Sequence, residues 1–429
     1  MDNIRINEAF FKFVAEHEAD DVNRLRLRRC TDAGFDVDFA ITQIECRKRI
    51  RRKLPEIFAD PGFLFPSVLA AEQATCEEIA KYHAEIVGDV ERVLDMTAGL
   101  CIDDYYIASR AKRVVSIEMN ETTATVSRYN MGRLRSNIEV IDGDSVEYIL
   151  NQPADSFDAV FIDPARRGTN QSRVYGLADC EPDVLKLLPA ISKVAPILYV
   201  KASPMLDVTH VLREVVGVTD VWVVSLRNEC KELFLKVDLT EYKKKSSLSE
   251  VDDSPGNDVI LHCVNFVADK CREEVSLPYS ASRLHAERYA ESVRQYLYEP
   301  NASVMKTGAF AVLVERYGVD KIAQHSHLFT ADEFLPDFPG RAFVVESAMP
   351  FKEKAVKAAL KGEKRMNVSV RNFKLTAEQL KNRLKLSDGG ERYLFGTTTA
   401  SGEMVVIACR KADKVKGNVW GFISSSCDP

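Results

Sequence analysis

The chain has no pair of cysteines at the spacing a zinc site needs. Its ten cysteines, at positions 30, 46, 76, 101, 180, 230, 263, 271, 409 and 427, stand singly, with no C-x-x-C pair and no histidine at ligand spacing. A structural zinc and a disulfide framework are therefore excluded, and no metal site is expected. His325 and His327 in AQHSHLF have no third ligand nearby. No apolar run approaches the roughly 18 uncharged residues a membrane helix needs. The opening MDNIRINEAFFKFVAEHEAD carries acids where a signal peptide carries an apolar stretch, so we expect a cytoplasmic protein with no membrane partner. G-x-G-x-x-G is missing too, which removes the dinucleotide-dependent dehydrogenases. Net positive charge is also absent: a formal −6 excludes a uniformly basic polyanion-binding coat.

What is present is unevenly spread. Residues 341 to 416 hold 17 Lys and Arg against 8 Asp and Glu, while the remainder is strongly acidic. A second basic knot, Arg47-Lys48-Arg49 with Arg51-Arg52-Lys53, lies near the start. Either is a candidate phosphate-facing surface, because clustered cations release counterions from a polyanion, or else a solvated helix face.

Residues 1–60 show helical spacing of apolar positions (Phe10, Phe13, Val14; Leu25, Leu27; Ile41, Ile44, Ile50) and predict a helical N-terminal domain. SVLAAEQATCEEIAKYHAEIV then reads as one amphipathic helix capped by Ser67. From about 91 to 240, strand-length apolar runs (RVLDM, RVVSIE, IEVID, FDAVFID, PILYVK) alternate with helical stretches, which implies a parallel sheet wrapped by helices. VWVVSL and ELFLKVDL are too close for a helical crossover and should pair as an antiparallel hairpin. This α/β unit is assigned to 61–241. Residues 242–258 read as a polar linker. Strand-like runs (VILHCVNFVA, AFAVLVE, RAFVVE, NVSVRNF, RYLFGTTT, MVVIAC) then mix with helices such as FKEKAVKAALKG, giving two small α+β domains, 259–340 and 341–417, with a break near Pro336 to Gly340.

The chemistry gathers at the carboxyl ends of consecutive strands, where open α/β sheets bind ligands. The first strand ends in Asp95-Met96-Thr97-Ala98-Gly99, a glycine turn into a helix. Glu118 closes the second, placed to take both hydroxyls of an adenosine ribose. Asp144 and Ser145 follow the third, where an adenine amino group would sit, and Asp163-Pro164-Ala165-Arg166-Arg167-Gly168 follows the fourth.

On these turns the chain resembles class I S-adenosylmethionine-dependent methyltransferases over roughly residues 60 to 240. It resembles more narrowly the bacterial methyltransferase family with a THUMP-like C-terminal domain, on EQAT (72–75), DMTAGL (95–100), FIDPARRG (161–168), NECKEL (228–233), YEPNASVMKTGAF (298–310) and NVSVRNF (367–373). The resemblance implies a Rossmann-like methyltransferase sheet followed by ferredoxin-like and THUMP-like pieces, with S-adenosyl-L-methionine as cofactor. THUMP domains in general bind RNA, which agrees with the basic C-terminal segment. The expected cofactor contacts are Gln73, Asp95, Thr97, Ala98, Gly99, Glu118, Met119, Asp144, Ser145, Asp163 and Pro164. Cys101 stands where such turns commonly carry a second glycine, and is read as a packing residue.

The D-P-A-R-R-G turn narrows the acceptor. Enzymes that methylate exocyclic amino groups usually carry an aromatic there; the turn is closer to D-P-P-R of the RNA 5-methyluridine enzymes. Those attack with a cysteine in S-C-N-P, and here the run is Lys201-Ala202-Ser203-Pro204. Alanine at the nucleophile position favours direct transfer to nitrogen or oxygen. Asp163, Lys201 and Arg166 are the candidate catalytic residues; Lys361, Lys364, Arg365 and Arg371 are the candidate RNA contacts. The competing readings are a methyltransferase acting on protein or a small molecule, and a non-catalytic RNA- or ribosome-associated factor that retains the cofactor fold.

Overall fold

The computed structural model describes residues 5–27, 34–166, 176–246, 259–267, 271–284, 288–360 and 362–412. They divide into two compact units. The first holds the described residues up to 224 with those of 231–261, and the second those of 225–230, 262–267 and from 271 onward. No helix among the described residues is long and apolar enough to cross a membrane.

The first unit realises the expected alternation. Its strands are β1 (Val90–Asp95), β2 (Ala111–Glu118), β3 (Ile138–Asp142), β4 (Ala159–Ile162), β5 (Ile197–Ala202), β6 (Val218–Leu226) and β7 (Glu229–Asp238). They lie in the order β6-β7-β5-β4-β1-β2-β3. β1 pairs in parallel with β2 and β4, β2 with β3, and β4 with β5, whereas β7 runs antiparallel to β5. β4 is buried at every position, as a central parallel strand covered on both faces must be. Arg227 and Asn228, which join β6 to β7, both have positive φ (51° and 65°), the backbone a tight hairpin needs. Strand order reverses between β1 and β4, so the ligand crevice belongs at their carboxyl ends.

Three sequence expectations change here. The single helix over 67–87 is two, Val68–Gln73 capped by Ser67 and Glu77–Val87, with Ala74 and Cys76 extended between them. The break has a cause: the Thr75 hydroxyl donates to Asp103, and the Glu77 amide donates to the Lys53 carbonyl rather than up the helix. The lead-in helices Glu8–Glu16, Val22–Leu27 and Val37–Ile50 do not close on a core of their own. Phe10, Val14, Leu25, Ile41 and Ile44 pack with Leu64 and with Val126 of the helix Glu121–Leu134. The basic knot divides: Lys48, Arg49, Arg51 and Arg52 are exposed, whereas Arg47 and Lys53 turn inward. Arg47 is buried and donates to the carbonyls of Phe58 and Asp60, Arg49 pairs with Glu45 and Glu72, and Lys53 donates to the Ala71 carbonyl.

The expected linker 242–258 begins as helix, Leu239–Ser246, and its residues 247–258 lie outside the described residues. In the second unit, AFAVLVE is a helix (Phe310–Tyr317) rather than a strand. Gly308 and Gly318, both left-handed, end this helix and the one before it, and Ala311 and Val314 are buried at helical spacing. A seven-stranded sheet runs in the order Asp320–Lys321, Phe329–Ala331, Tyr296–Pro300, Gly340–Pro350, Met404–Lys411, Arg392–Thr398, Asn367–Arg371. The expected break at 336–340 is where Gly340–Pro350 starts, and this strand pairs with Tyr296–Pro300 on one side and Met404–Lys411 on the other. The two halves thus share a sheet, and Leu297 and Ile322 share a core with Phe395 and Ile407.

Candidate active site

The glycine turn after β1 is fixed by its neighbours. The Asp95 carboxylate accepts from the Thr97 amide at 2.7 Å, and Thr97 Oγ1 accepts from the Asp163 amide at 2.6 Å, tying this turn to the one after β4. The Ala98 amide donates to the Ile117 carbonyl of β2. Gly99 has φ +50°, and the space a Cβ would take is open, with the Thr97 carbonyl oxygen nearest at 4.0 Å. Its amide donates to Glu118 Oε2 at 2.9 Å, while Oε1 accepts from the Asn120 amide at 2.7 Å. Glu118 is thereby aimed without using all its lone pairs, and Met119 beside it is 71% exposed. A carboxylate beside an exposed thioether suits a ribose and an apolar ring face. The residues present therefore fit an adenosine-bearing cofactor. Asp144 caps its own helix, accepting from the Val146 amide at 2.7 Å, with Ser145 as the first helical residue. Gln73 ends the helix Val68–Gln73 and is exposed; Pro164 is buried behind Asp163.

Beneath this turn, Asp95 and Asp104 are both buried. Burial and mutual repulsion raise the Asp95 pKa well above the usual carboxylate range, and burial pushes Asp104 up to about 6. Cys101, left-handed at φ 55°, is fully buried, and burial pushes its thiol well above the usual range.

Next to the turn lies an ion-paired chain. Lys201, at the end of β5, donates to Asp163 Oδ2 at 2.6 Å and to Thr75 Oγ1 at 2.8 Å, and stands 3.8 Å from Asp103 Oδ2. Thr75 in turn donates to Asp103 Oδ2 at 2.5 Å. Asp103 Oδ1 meets His83 Nδ1 at 2.8 Å, and His83 Nε2 meets Glu232 Oε1 at 2.5 Å. Burial lowers the Lys201 pKa, but Asp163, Asp103 and Glu232 outweigh it, so the ammonium is held above its usual value. Asp163 is the open end: its side chain is 42% exposed against 13% for Lys201. A carboxylate beside a fixed cation, facing the crevice, can accept a proton or hold a donor.

Of the sequence candidates, the structure brings Asp163 and Lys201 together. The backbone of Ala165 and Arg166 pairs antiparallel with Cys180 and Glu181; the Arg166 side chain, like Arg167 and Gly168, lies outside the described residues. Lys361 also lies outside them. Lys364 and Arg365 are exposed, and Arg365 packs its guanidinium over the Gly389 turn, where a Cβ would stand 2.6 Å from Nη2. Arg371 is committed elsewhere: it pairs at 2.8 Å with buried Glu299, whose other oxygen holds Arg341. The sequence reading passed over Thr75, His83, Asp103 and Glu232. EQAT and NECKEL had marked two of them, but only as identity to a family, with no chemistry attached.

Residues 66–173 match a family model described as conserved hypothetical protein 95, residues 296–339 a ferredoxin-like domain, and residues 340–411 a THUMP domain-like model. An uncharacterized RNA methyltransferase of Mycoplasma mobile is 30% identical over 101 residues, covering 23% of this chain and 27% of that protein. Ribosomal RNA small subunit methyltransferase J of Francisella philomiragia is 36% identical over 93 residues, 20% of this chain and 38% of that protein. The chain thus spans well under half the length of these two curated relatives. The crystal structure of a "putative methyltransferase" from Porphyromonas gingivalis W83 is similar throughout, with 31% identity, a TM-score of 0.83, and coverage of 94% of this chain and 98% of that one. This chain belongs to that protein's family, the bacterial methyltransferases that join a class I S-adenosylmethionine-dependent fold to ferredoxin-like and THUMP-like C-terminal domains.

Proposed function

We propose that the chain transfers a methyl group from S-adenosylmethionine to a nitrogen or oxygen of RNA, with Asp163 taking the acceptor's proton. The observation that carries this reading is the Asp163–Lys201 pair at the carboxyl ends of β4 and β5, tied through Thr97 to the cofactor turn. S-adenosylmethionine supplies an electrophilic methyl on a sulfonium. The acceptor N–H or O–H would lose its proton to Asp163 as its lone pair takes the methyl, whose bond to the sulfonium sulfur breaks with the electron pair left on a neutral thioether product. Lys201 stays charged and cannot serve as the base; it orients Asp163. Asp95, Thr97, Ala98, Gly99, Glu118, Met119, Asp144 and Ser145 form the cofactor side, with Glu118 on the ribose hydroxyls. Covalent catalysis is disfavoured because Ala202 stands at the nucleophile position and the Cys101 thiol is buried. Met205, 75% exposed three residues beyond Ala202, offers the apolar contact to a base that the D-P-A-R turn lacks.

RNA as the substrate rests on the net +9 of residues 341–416 and on the THUMP-like match. Lys364 and Lys385 line one groove with Lys357 and Ser387. Arg383 and Lys385, both exposed, join Lys364 and Arg365 as the RNA contacts. We assign catalysis to residues 61–241 and RNA delivery to 341–417. The test is transfer of tritiated methyl to RNA from cells lacking the enzyme, followed by nucleoside mass spectrometry. Methylation of protein and not RNA in that extract rejects the substrate, and full activity in Asp163→Asn rejects the base.

A further inference from the structure

His83 takes no part in the transfer as proposed, yet it is fully buried. A buried imidazole is ordinarily neutral, because the charged ring loses its hydration. Here each ring nitrogen faces a carboxylate, Asp103 at 2.8 Å and Glu232 at 2.5 Å. Two acceptors on two nitrogens require both to carry hydrogen, which is the imidazolium. Burial lowers the pKa, but Glu232 and Asp103 outweigh it and raise it to about 9. The ring also stacks on Phe234, with centroids 4.3 Å apart and planes 18° from parallel.

The groups from Asp163 inward therefore alternate in sign: Asp163, Lys201, Asp103, His83, Glu232. Asp103 is the branch point. Its Oδ1 is taken by His83 and its Oδ2 by Thr75, and Lys201 stands 3.8 Å from it but 2.6 Å from Asp163. The other ionisable groups facing this chain are Asp95 and Asp104 on the Asp103 side, and Lys53, Lys231 and Cys76 on the Lys201 and Glu232 side.

We propose that His83 is a positioning residue for the Asp163–Lys201 pair: as a buried cation between Asp103 and Glu232 it balances Asp103, leaving Lys201 to Asp163. This rests on the reading of Asp163 as the group that takes the acceptor's proton. In His83→Gln the amide keeps a hydrogen-bond donor but no charge, so Asp103 competes for Lys201 and Asp163 loses part of its partner. The proton affinity of Asp163 then rises. Adding Glu232→Gln removes one charge of the opposite sign and restores the balance.

The test is a carboxyl ¹³C titration of the full chain labelled at aspartate, with the Asp163 signal assigned by its loss in Asp163→Asn. The Asp163 midpoint should rise by about one pH unit in His83→Gln and return to within a few tenths of a unit in the double variant, charge effects of one to three units being usual at close range. An Asp163 midpoint unmoved in folded His83→Gln, or displaced further in the double variant, overturns the proposal. A purely structural role would make the double variant worse, not better. Should His83→Gln not fold, Glu232→Gln provides the reading. Its His83 ring ¹⁵N midpoint should fall by a unit or more, and an unchanged one rejects the imidazolium. None of these measurements needs methyl transfer. A shifted Asp163 midpoint together with full RNA methylation by Asp163→Asn therefore rejects the base and keeps the positioning role.

Discussion

The two units treat charge in opposite ways. In the first, Asp163, Lys201, Asp103, His83 and Glu232 are paired one to the next, and all but Asp163 are largely withdrawn from water. In the second, Lys352, Lys354, Lys364, Arg365, Lys374, Arg383 and Lys385 are exposed, apart from such internal pairings as Glu299 with Arg341 and Arg371. A paired, buried charge is costly to remove because its partner is stranded. An exposed cation is worth little alone, acts in sum and is screened by salt. Substitutions should therefore act one at a time in the first unit and only in groups in the second.

The largest effect should come from Lys201→Met. It strands Asp163 and takes a nearby cation from Asp103, so methyl transfer should fall by about 10²- to 10⁴-fold, the usual worth of a positioned acid–base group. Urea unfolding should show a loss of about 3–5 kcal/mol, as for other broken buried pairs. A stable, active Lys201→Met would erase the contrast between the units. Next in size is reversal of Lys364, Arg365, Arg383 and Lys385 to glutamate. If all four meet phosphate, the slope of log affinity against log salt should flatten by about three for single-stranded RNA. Filter binding at physiological salt should then show a loss of about a hundredfold, with S-adenosylmethionine affinity unchanged. Single reversals that abolish binding would show that these cations act as a built pocket instead.

These variants also mark what the sequence could reveal. The glycine turn, Glu118, Asp144 and the D-P-A-R turn were legible because each is set by its own strand end, and strand ends follow from local periodicity. Lys201 was legible as the end of PILYVK, and its partner as the end of FDAVFID. The inner half of the ion chain was not legible: His83 and Glu232 are 149 residues apart and meet only because β7 is folded back against β5. Thr75 was hidden by the apolar spacing around it, which reads as unbroken helix until Asp103 is in place. The charge count misled at Arg371, which pairs with buried Glu299, and at Arg47, which is itself buried against backbone carbonyls.

Smaller effects sharpen the contrast inside the first unit. Glu118→Ala should weaken S-adenosylmethionine binding by about ten- to a hundredfold by calorimetry, corresponding to about 1.5–3 kcal/mol for hydrogen bonds to a charged group. The pH dependence is milder still. His83 has a folded pKa raised from 6.5 to about 9, so its stabilisation is complete below 6.5 and is lost as pH rises through 9. Asp104, raised from 3.8 to about 6, loses stability in the same direction over a lower window. Urea unfolding across pH should thus show stability descending through the Asp104 window, with raised Asp95 adding in the same direction, and again between about 6.5 and 9, and His83→Gln should remove only that fall between 6.5 and 9.

The smallest effect is expected at Cys101, the residue most easily mistaken for a nucleophile. It sits in the glycine turn at the start of the helix Ile102–Ile107, a place where a helix dipole would favour a thiolate. Three observations oppose that. The side chain is fully buried, the carboxyls of Asp104 and Asp95 repel a negative sulfur, and burial already pushes the thiol well above its usual range. A thiolate cannot form there at neutral pH, so sulfur has only a packing role. Cys101→Ser exchanges a soft buried atom for a polar one near Asp104 and Ser127, and should cost about 1–3 kcal/mol of stability as a hydroxyl buried without an assured partner. Methyl transfer by the folded variant should stay within a fewfold of the parent, and iodoacetamide should leave Cys101 unlabelled in the native chain. A thousandfold loss of transfer in folded Cys101→Ser would place the nucleophile beside the cofactor and overturn direct transfer to nitrogen or oxygen.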